Sequence, residues 1–219
     1  MKNLTTITSF NRKNNLLKLI KSLEKQNTDI LVFDDCSNFT INKPYFIQFK
    51  YNFGKEYNWK KWNLIINDLK FRKKYDNYLF IPDDVSISDT FVQDSVTAWN
   101  NLDDIRKICL NLITDKRINS PQWTCHKPVK KGQYINTQWC DLSFICSYNF
   151  LLCWKMVHLS LKRWEENHKA GSGVGSYLSK HLHWLGYKMY HYETSFAHHL
   201  PLESQMNKEE RKINPIISL

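Results

Sequence analysis

Two short apolar runs in this chain end abruptly in paired aspartates. Ile30-Leu31-Val32-Phe33 stops at Asp34-Asp35, and Tyr78-Leu79-Phe80-Ile81 passes through Pro82 into Asp83-Asp84. Short apolar runs bounded by turn formers read as buried strands. In open α/β sheets ligands bind outside the carboxyl ends of the strands. Adjacent carboxylates at that end repel one another unless a cation or hydroxyl donors satisfy them. This pattern constrains the fold and the chemistry together.

The rest of the chain supplies the sheet. Leu4 to Phe10 is β-branched and short, and reads as a first strand. Asn11-Arg12-Lys13-Asn14 is a turn with capping residues. Leu16, Leu19, Ile20 and Leu23 then recur at helical spacing among lysines, an amphipathic helix ending near Gln26-Asn27. Strand, helix and strand within about 35 residues make a βαβ unit, and hence a parallel sheet. Tyr45 to Lys50 predicts a third strand. Tyr57 to Tyr75 predicts a helix with Trp59, Trp62, Ile66 and Leu69 on one face. Thr90 to Asn100 predicts a helix, Ile108 to Ile113 a strand and Ser176 to Trp184 a helix. The expected class is α/β, a mostly parallel Rossmann-like sheet with helices on both faces. At 219 residues the expectation is one domain, with a nucleotide-binding half over 1–100 and an acceptor half over 101–219.

Composition narrows the classes. The chain is 42% hydrophobic and 24% charged, ordinary globular values that exclude disorder, collagen and coiled coil as descriptions of the whole. No apolar run reaches the roughly 18–20 residues needed to span a bilayer. The start, Met1 to Ile7, is too short and polar for a signal peptide. Six cysteines with no CxxC pair read as free thiols in a reducing cytosol, so the expected location is cytoplasmic. The net charge of +10 fits an anionic partner (nucleic acid, an acidic membrane surface or nucleotide phosphates) or a merely solvated basic surface.

The aspartate pairs admit two functional solutions. A hard divalent ion, Mg²⁺ or Mn²⁺, takes oxygen ligands from one or two carboxylates and bridges a diphosphate. Alternatively the carboxylates hydrogen-bond ribose hydroxyls. The competing structural reading is a cap for Asp83-Asp84 and turn chemistry for Asp34-Asp35-Cys36-Ser37-Asn38.

These residues resemble family 2-like glycosyltransferases of GT-A fold. Thr6 to Arg12 is similar to the family's opening strand and its "T-x-x-R" loop, which implies Thr8, Ser9, Phe10 and Arg12 against the nucleotide of a UDP- or similar sugar donor. Val32 to Ser37 resembles the "V-D-D-x-S" segment that reads the nucleobase, implying Asp34 or Asp35. Asn52-Phe53-Gly54-Lys55, with Trp59 and Asn63 after it, resembles the "N-x-G" loop and its helix. Ile81 to Val85 resembles the DxD-type motif, with Pro82 in place of its first acid. The resemblance implies Asp83 facing the ribose and Asp84 on the metal, the split between them left open. Thr194 to Leu200 resembles the terminal "S-L-V-x-H" segment, implying His199 at the metal with His198 the alternative. The glycine-rich run from Gly171 to Gly175 lacks the features of a P-loop and reads as a loop shaping the acceptor site.

Activating an acceptor hydroxyl in an inverting enzyme requires a carboxylate base. Asp141 falls where the family's acceptor segment lies, beside Trp139 as a sugar-stacking face. Glu165 and Glu166 are the rivals. Residues 115–138 interleave Lys116, Arg117, Lys127, Lys130 and Lys131 with Trp123, His126 and Tyr134, a pattern suited to tracking a nucleic-acid backbone. Lys60, Lys61, Lys70, Arg72, Lys73 and Lys74 form a second basic cluster. The expected function is therefore a metal-dependent hexosyl- or pentosyltransferase. Its favoured acceptor is a hydroxymethylated pyrimidine, or a sugar on it, in phage DNA. An enzyme of lipid-linked or surface polysaccharide is the alternative, and a non-catalytic basic nucleic-acid-binding protein is the third reading.

Overall fold

The computed structural model describes residues 1–54, 57–72, 74–114, 129–137, 140, 143–154 and 174–201. The chain opens with β1 (Asn3–Ser9), α1 (Lys13–Leu23) and β2 (Asp29–Asp34). β1 and β2 pair in parallel from Leu4↔Asp29 to Ser9↔Asp34, so the βαβ unit forms as the spacing predicts. The stripe of Leu16, Leu19, Ile20 and Leu23 is buried and seats α1 on the sheet. β3 (Phe46–Gln48) extends the sheet in parallel beyond β2. α2 (Asn58–Phe71) then returns the chain to β4 (Asn77–Pro82), which pairs in parallel with the other side of β1.

The later elements are β5 (Val85–Ile87), α3 (Phe91–Asn101), β6 (Lys107–Asn111), β7 (Lys130–Lys131), β8 (Tyr134–Thr137), β9 (Phe144–Cys146), α4 (Tyr148–Cys153), α5 (Val174–Trp184), β10 (Lys188–Tyr192) and β11 (Ala197–His199). The main sheet runs β3-β2-β1-β4-β9-β6-β10-β8-β7, and β11 pairs with β5 in a separate ribbon. β9 inserts antiparallel between β4 and β6, and β8 and β7 complete the far edge antiparallel. The sheet is thus mixed, with its parallel block at β3-β2-β1-β4 and a parallel β6–β10 pair.

Side chains alternate across the strands, and both faces are filled. Leu31 and Phe33, with Tyr78 and Phe80, join the core that includes Trp59, Trp62 and Leu69 of α2, Phe150 and Leu151 of α4, and Leu178 and Leu182 of α5. Val32, Leu79 and Ile81 join the opposite core with Leu16 and Ile20 of α1 and Val96 and Trp99 of α3. A sheet buried on both faces requires apolar residues at every position, which is why these strands read as unbroken runs. On the first face Phe80 stacks on Phe144 with ring centres 4.6 Å apart, and Phe144 meets Phe150 at 4.7 Å. This aromatic column ties β9 and α4 to the parallel block.

The helix expected to reach Tyr75 stops at Phe71. Tyr75 is drawn into the core beneath β2, where its hydroxyl donates to Asp29 Oδ2 at 2.7 Å. Lys61 also departs from expectation. It is 5% exposed and lies on the buried side of α2, so it does not belong to the solvated basic cluster.

Candidate active site at the sheet switch point

The connections from β1 to β2 and from β3 to β4 leave a crevice at the carboxyl ends of β1 and β4, where the strand order reverses. Open α/β sheets bind ligands at such switch points. β1 ends there in Ser9, followed by Phe10 and Arg12, and β4 ends there in Pro82, followed by Asp83 and Asp84. The two loops are stitched together. The Asp83 backbone N–H donates to the Thr8 carbonyl at 3.0 Å. Asp83 Oδ2 accepts from Ser9 Oγ at 2.9 Å and from the Phe10 N–H at 3.0 Å. Arg12 Nη1 lies 3.1 Å from Asp83 Oδ1 and 3.1 Å from Asp84 Oδ2. Four of the residues expected at the donor, Thr8, Ser9, Phe10 and Arg12, therefore surround Asp83.

Asp83 is buried, and burial is the main reason that its carboxyl rises from an ordinary 3.8 to about 6. The adjacent Asp84 charge adds to that rise, while the Phe10 N–H, the Arg12 guanidinium and the Ser9 hydroxyl oppose it.

The β11–β5 ribbon brings a histidine to the other carboxylate. His199 pairs with Val85 and His198 with Ser86, and the Leu200 N–H donates to the Asp84 carbonyl at 2.7 Å. Strand alternation sends His198 and His199 to opposite faces. It is His199 that lies beside Asp84, with Nδ1 3.6 Å from Oδ1. Among the described residues no group of three or more His, Cys, Asp or Glu could hold a metal by itself. A carboxylate and an imidazole close together nonetheless fit the Mg²⁺/Mn²⁺ class, whose sites use one or two protein ligands and substrate phosphates for the rest.

The first aspartate pair is arranged differently. Both side chains are fully buried. Asp34 closes an Asx-type turn: its Oδ2 accepts from the Ser37 N–H at 2.8 Å and from Gln48 Nε2 at 3.0 Å, and its Oδ1 accepts from Ser37 Oγ at 2.6 Å. Asp35 accepts from the Phe53 N–H at 2.8 Å and from Lys61 Nζ at 3.1 Å, while its carbonyl accepts from Asn52 Nδ2 at 3.0 Å. Cys36, which follows Asp35, sits at φ 62°, a left-handed conformation uncommon for a residue other than glycine. Gly54 closes the 52–54 loop at φ 55°, which suits glycine. The resemblance set one of these two carboxylates, Asp34 or Asp35, against the nucleotide; in the structure both are buried and hydrogen-bonded to groups of the loops at the ends of β2 and β3. Trp59 is likewise buried in the core, with the Lys60 ammonium 5.3 Å from its ring centre.

Sequence reasoning did not single out Ser37, Gln48 or Lys61 for these bracing roles. A lysine beside Trp62 on the apolar stripe of α2 is the only local sign, and it looks like any solvated lysine.

Lys55, Lys127, Trp139, Asp141 and Glu166 lie outside the described residues. Lys130 and Lys131, expected at the acceptor, form the edge strand β7. That edge is five strand spacings from β4, roughly 24 Å at about 4.8 Å per strand. Lys130 pairs with Glu193, and Lys131 donates to the Asp103 carbonyl. Lysines on an edge strand also discourage edge-to-edge association.

No protein-family model matches the chain, and no curated protein matches it in sequence. Solved structures do match. Staphylococcus aureus TarS (1–349) aligns over 92% of this chain at 15% identity with a TM-score of 0.55, and this chain spans 61% of it. A197 from STIV aligns over 91% at 16% identity and a TM-score of 0.52, with 86% of that chain spanned. The mannosyltransferase PcManGT from Pyrobaculum calidifontis, solved with GDP-Man and Mn²⁺, aligns over 86% at 9% identity and a TM-score of 0.51, with 53% of it spanned. At these identities the likeness establishes the fold: this chain has the GT-A fold.

Proposed function

We propose that the protein is a glycosyltransferase that moves a sugar from a nucleoside-diphosphate donor, a UDP-sugar first among candidates, to an acceptor hydroxyl. The observation that carries this reading is the Asp83–Asp84 pair at the switch point, stitched to the β1 loop by Ser9, Phe10 and Arg12. Asp84 and His199 are the residues that would hold a divalent ion. When bound, such an ion neutralises charge on the departing diphosphate. Arg12 brings a fixed cation to the same crevice and favours an anionic donor group there. Asp83, locked onto the β1 loop, keeps Asp84 and Arg12 in register.

An acceptor hydroxyl needs a base within hydrogen-bond reach. We assign that role to Asp141, with Glu166 the rival, in an inverting transfer. For the acceptor we favour hydroxymethylated DNA. The support is the net charge of +10 and the basic, aromatic-interleaved stretch over 115–138. A lipid-linked or surface glycan is the competing acceptor.

The test is a screen of radiolabelled UDP- and GDP-sugars against hydroxymethylated DNA, unmodified DNA, and lipid and oligosaccharide acceptors, each with Mn²⁺. Transfer to hydroxymethylated DNA alone supports the full reading. Transfer only to glycans or lipids replaces the acceptor. No transfer and no nucleotide binding with any donor refutes the glycosyltransferase reading.

A further inference from the structure

The Arg12 side chain is only 11% exposed, although arginine is among the residues most often in water. A single nitrogen of its guanidinium, Nη1, serves both carboxylates of the Asp83–Asp84 pair at 3.1 Å each. The remaining oxygens are also directed. Asp83 Oδ2 is taken by Ser9 and Phe10, and Asp84 Oδ1 turns to His199. The crevice thus already contains a tethered cation in the place where a mobile one would act. A bare divalent ion on Asp84 would place a second cation on a carboxylate whose Oδ2 already meets Arg12 Nη1 at 3.1 Å. A nucleoside diphosphate arriving with the ion offsets this, because its negative charges face both cations.

We propose that Arg12 is the resident counter-cation of the Asp83–Asp84 pair, which keeps a bare divalent ion out and makes metal binding depend on the diphosphate that comes with it. This inference rests on the metal–diphosphate reading above. Coupling of this kind is reciprocal: whatever factor the diphosphate adds to metal affinity, the metal adds to diphosphate affinity.

The experiment is calorimetric titration of the full chain with Mn²⁺ alone, with UDP or GDP alone, and with Mn²⁺ after saturation by each nucleotide. Wild type, Arg12→Gln and Arg12→Lys are compared, with circular dichroism as the check on folding. Wild type is expected to bind Mn²⁺ alone weakly and at least tenfold more tightly once a nucleotide is bound. Arg12→Gln is expected to bind Mn²⁺ alone at least tenfold more tightly than wild type, with a smaller gain from nucleotide. Arg12→Lys, which keeps the charge, should preserve the wild-type pattern. Tight binding of Mn²⁺ alone by wild type overturns the proposal even if Arg12→Gln does not fold. So does an Arg12→Gln variant that folds, binds Mn²⁺ alone no better than wild type, and still takes up Mn²⁺ with nucleotide. Those results leave the glycosyltransferase reading standing. Failure of wild type to bind Mn²⁺ with either nucleotide refutes both.

Discussion

Replacing Lys61 with Met strands the Asp35 carboxylate. The pair is 3.1 Å apart, with side chains 6% and 0% exposed. At an effective dielectric of about 20 the attraction is roughly 5 kcal/mol. Each ion gives up hydration to reach the interior, so the net value of the pair is far smaller than that. The cost of removing one partner is not small, because the other charge stays buried, and we expect Lys61→Met to lose about 3–5 kcal/mol. That is a large share of the 5–15 kcal/mol typical of a whole domain. Asp35→Asn together with Lys61→Met removes both charges and should recover roughly 1–3 kcal/mol of the loss. Urea unfolding of the two single variants and the double variant gives the coupling directly. Calorimetry with UDP separates bracing from ligand contact. If Asp35 braces the 52–54 loop, donor affinity in each variant should fall only as far as stability does. An Asp35→Asn variant of unchanged stability that loses tenfold in UDP affinity would refute the bracing role and make Asp35 a donor ligand.

Asp83 makes stability depend on pH with an unusual sign. Its folded-state value of about 6 lies above the unfolded 3.8, so the folded chain holds this proton more tightly. Its contribution is complete below pH 3.8 and is lost as pH rises to about 6, an interval worth roughly 3 kcal/mol. The wild type should therefore lose stability relative to Asp83→Asn as pH rises from 4.5 to about 7, and urea midpoints that run the other way would contradict the assignment. Phe144→Ala empties the aromatic column between Phe80 and Phe150 and should cost about 3–5 kcal/mol, read as a fall in Tm. Asp84→Ala and His199→Ala should each weaken Mn²⁺ binding in the presence of UDP, whereas His198→Ala should leave it unchanged. If DNA is the acceptor, Lys127→Ala should reduce the salt slope of transfer by about 0.9, while Lys130→Ala and Lys131→Ala, already paired to protein groups, should reduce it less. Equal effects at all three would mean that the protein contacts of Lys130 and Lys131 give way to phosphate, and no effect at any of them would move the DNA path elsewhere on the surface.

The first 100 residues were legible because their elements are local and strongly patterned. Leu16, Leu19, Ile20 and Leu23 leave no other way to bury α1 than against a sheet. The unbroken apolar runs of β2 and β4 reflect burial on both faces. β9 was not legible. It is three residues long, and its place between β4 and β6 is set by Phe144 stacking on Phe80, some sixty residues earlier in the chain. A non-local pairing of that kind leaves no periodicity to read. β7 and β8 fall within the basic stretch expected to face nucleic acid, and exposed lysines between aromatics look the same in sequence on a sheet edge as on a binding face.

The same limit explains the four aspartates. In sequence Asp34-Asp35 and Asp83-Asp84 are near equivalents, each closing a buried strand that borders β1. Their roles diverge through neighbours brought from elsewhere. Ser37 and Gln48 satisfy Asp34, and Phe53 and Lys61 satisfy Asp35, so that pair is spent on holding the β2 and β3 loops in place. Asp83 is spent in part on the β1 loop. Only Asp84 has one oxygen on a cation, Arg12, and the other turned toward a half-exposed histidine that a separate two-stranded ribbon delivers. On the metal–diphosphate reading proposed above, a carboxylate placed so would exchange its partners as an anionic ligand and its ion arrive. Strand-end position gathers the aspartates at one end of the sheet, and the hydrogen-bond partners of each carboxylate set them apart.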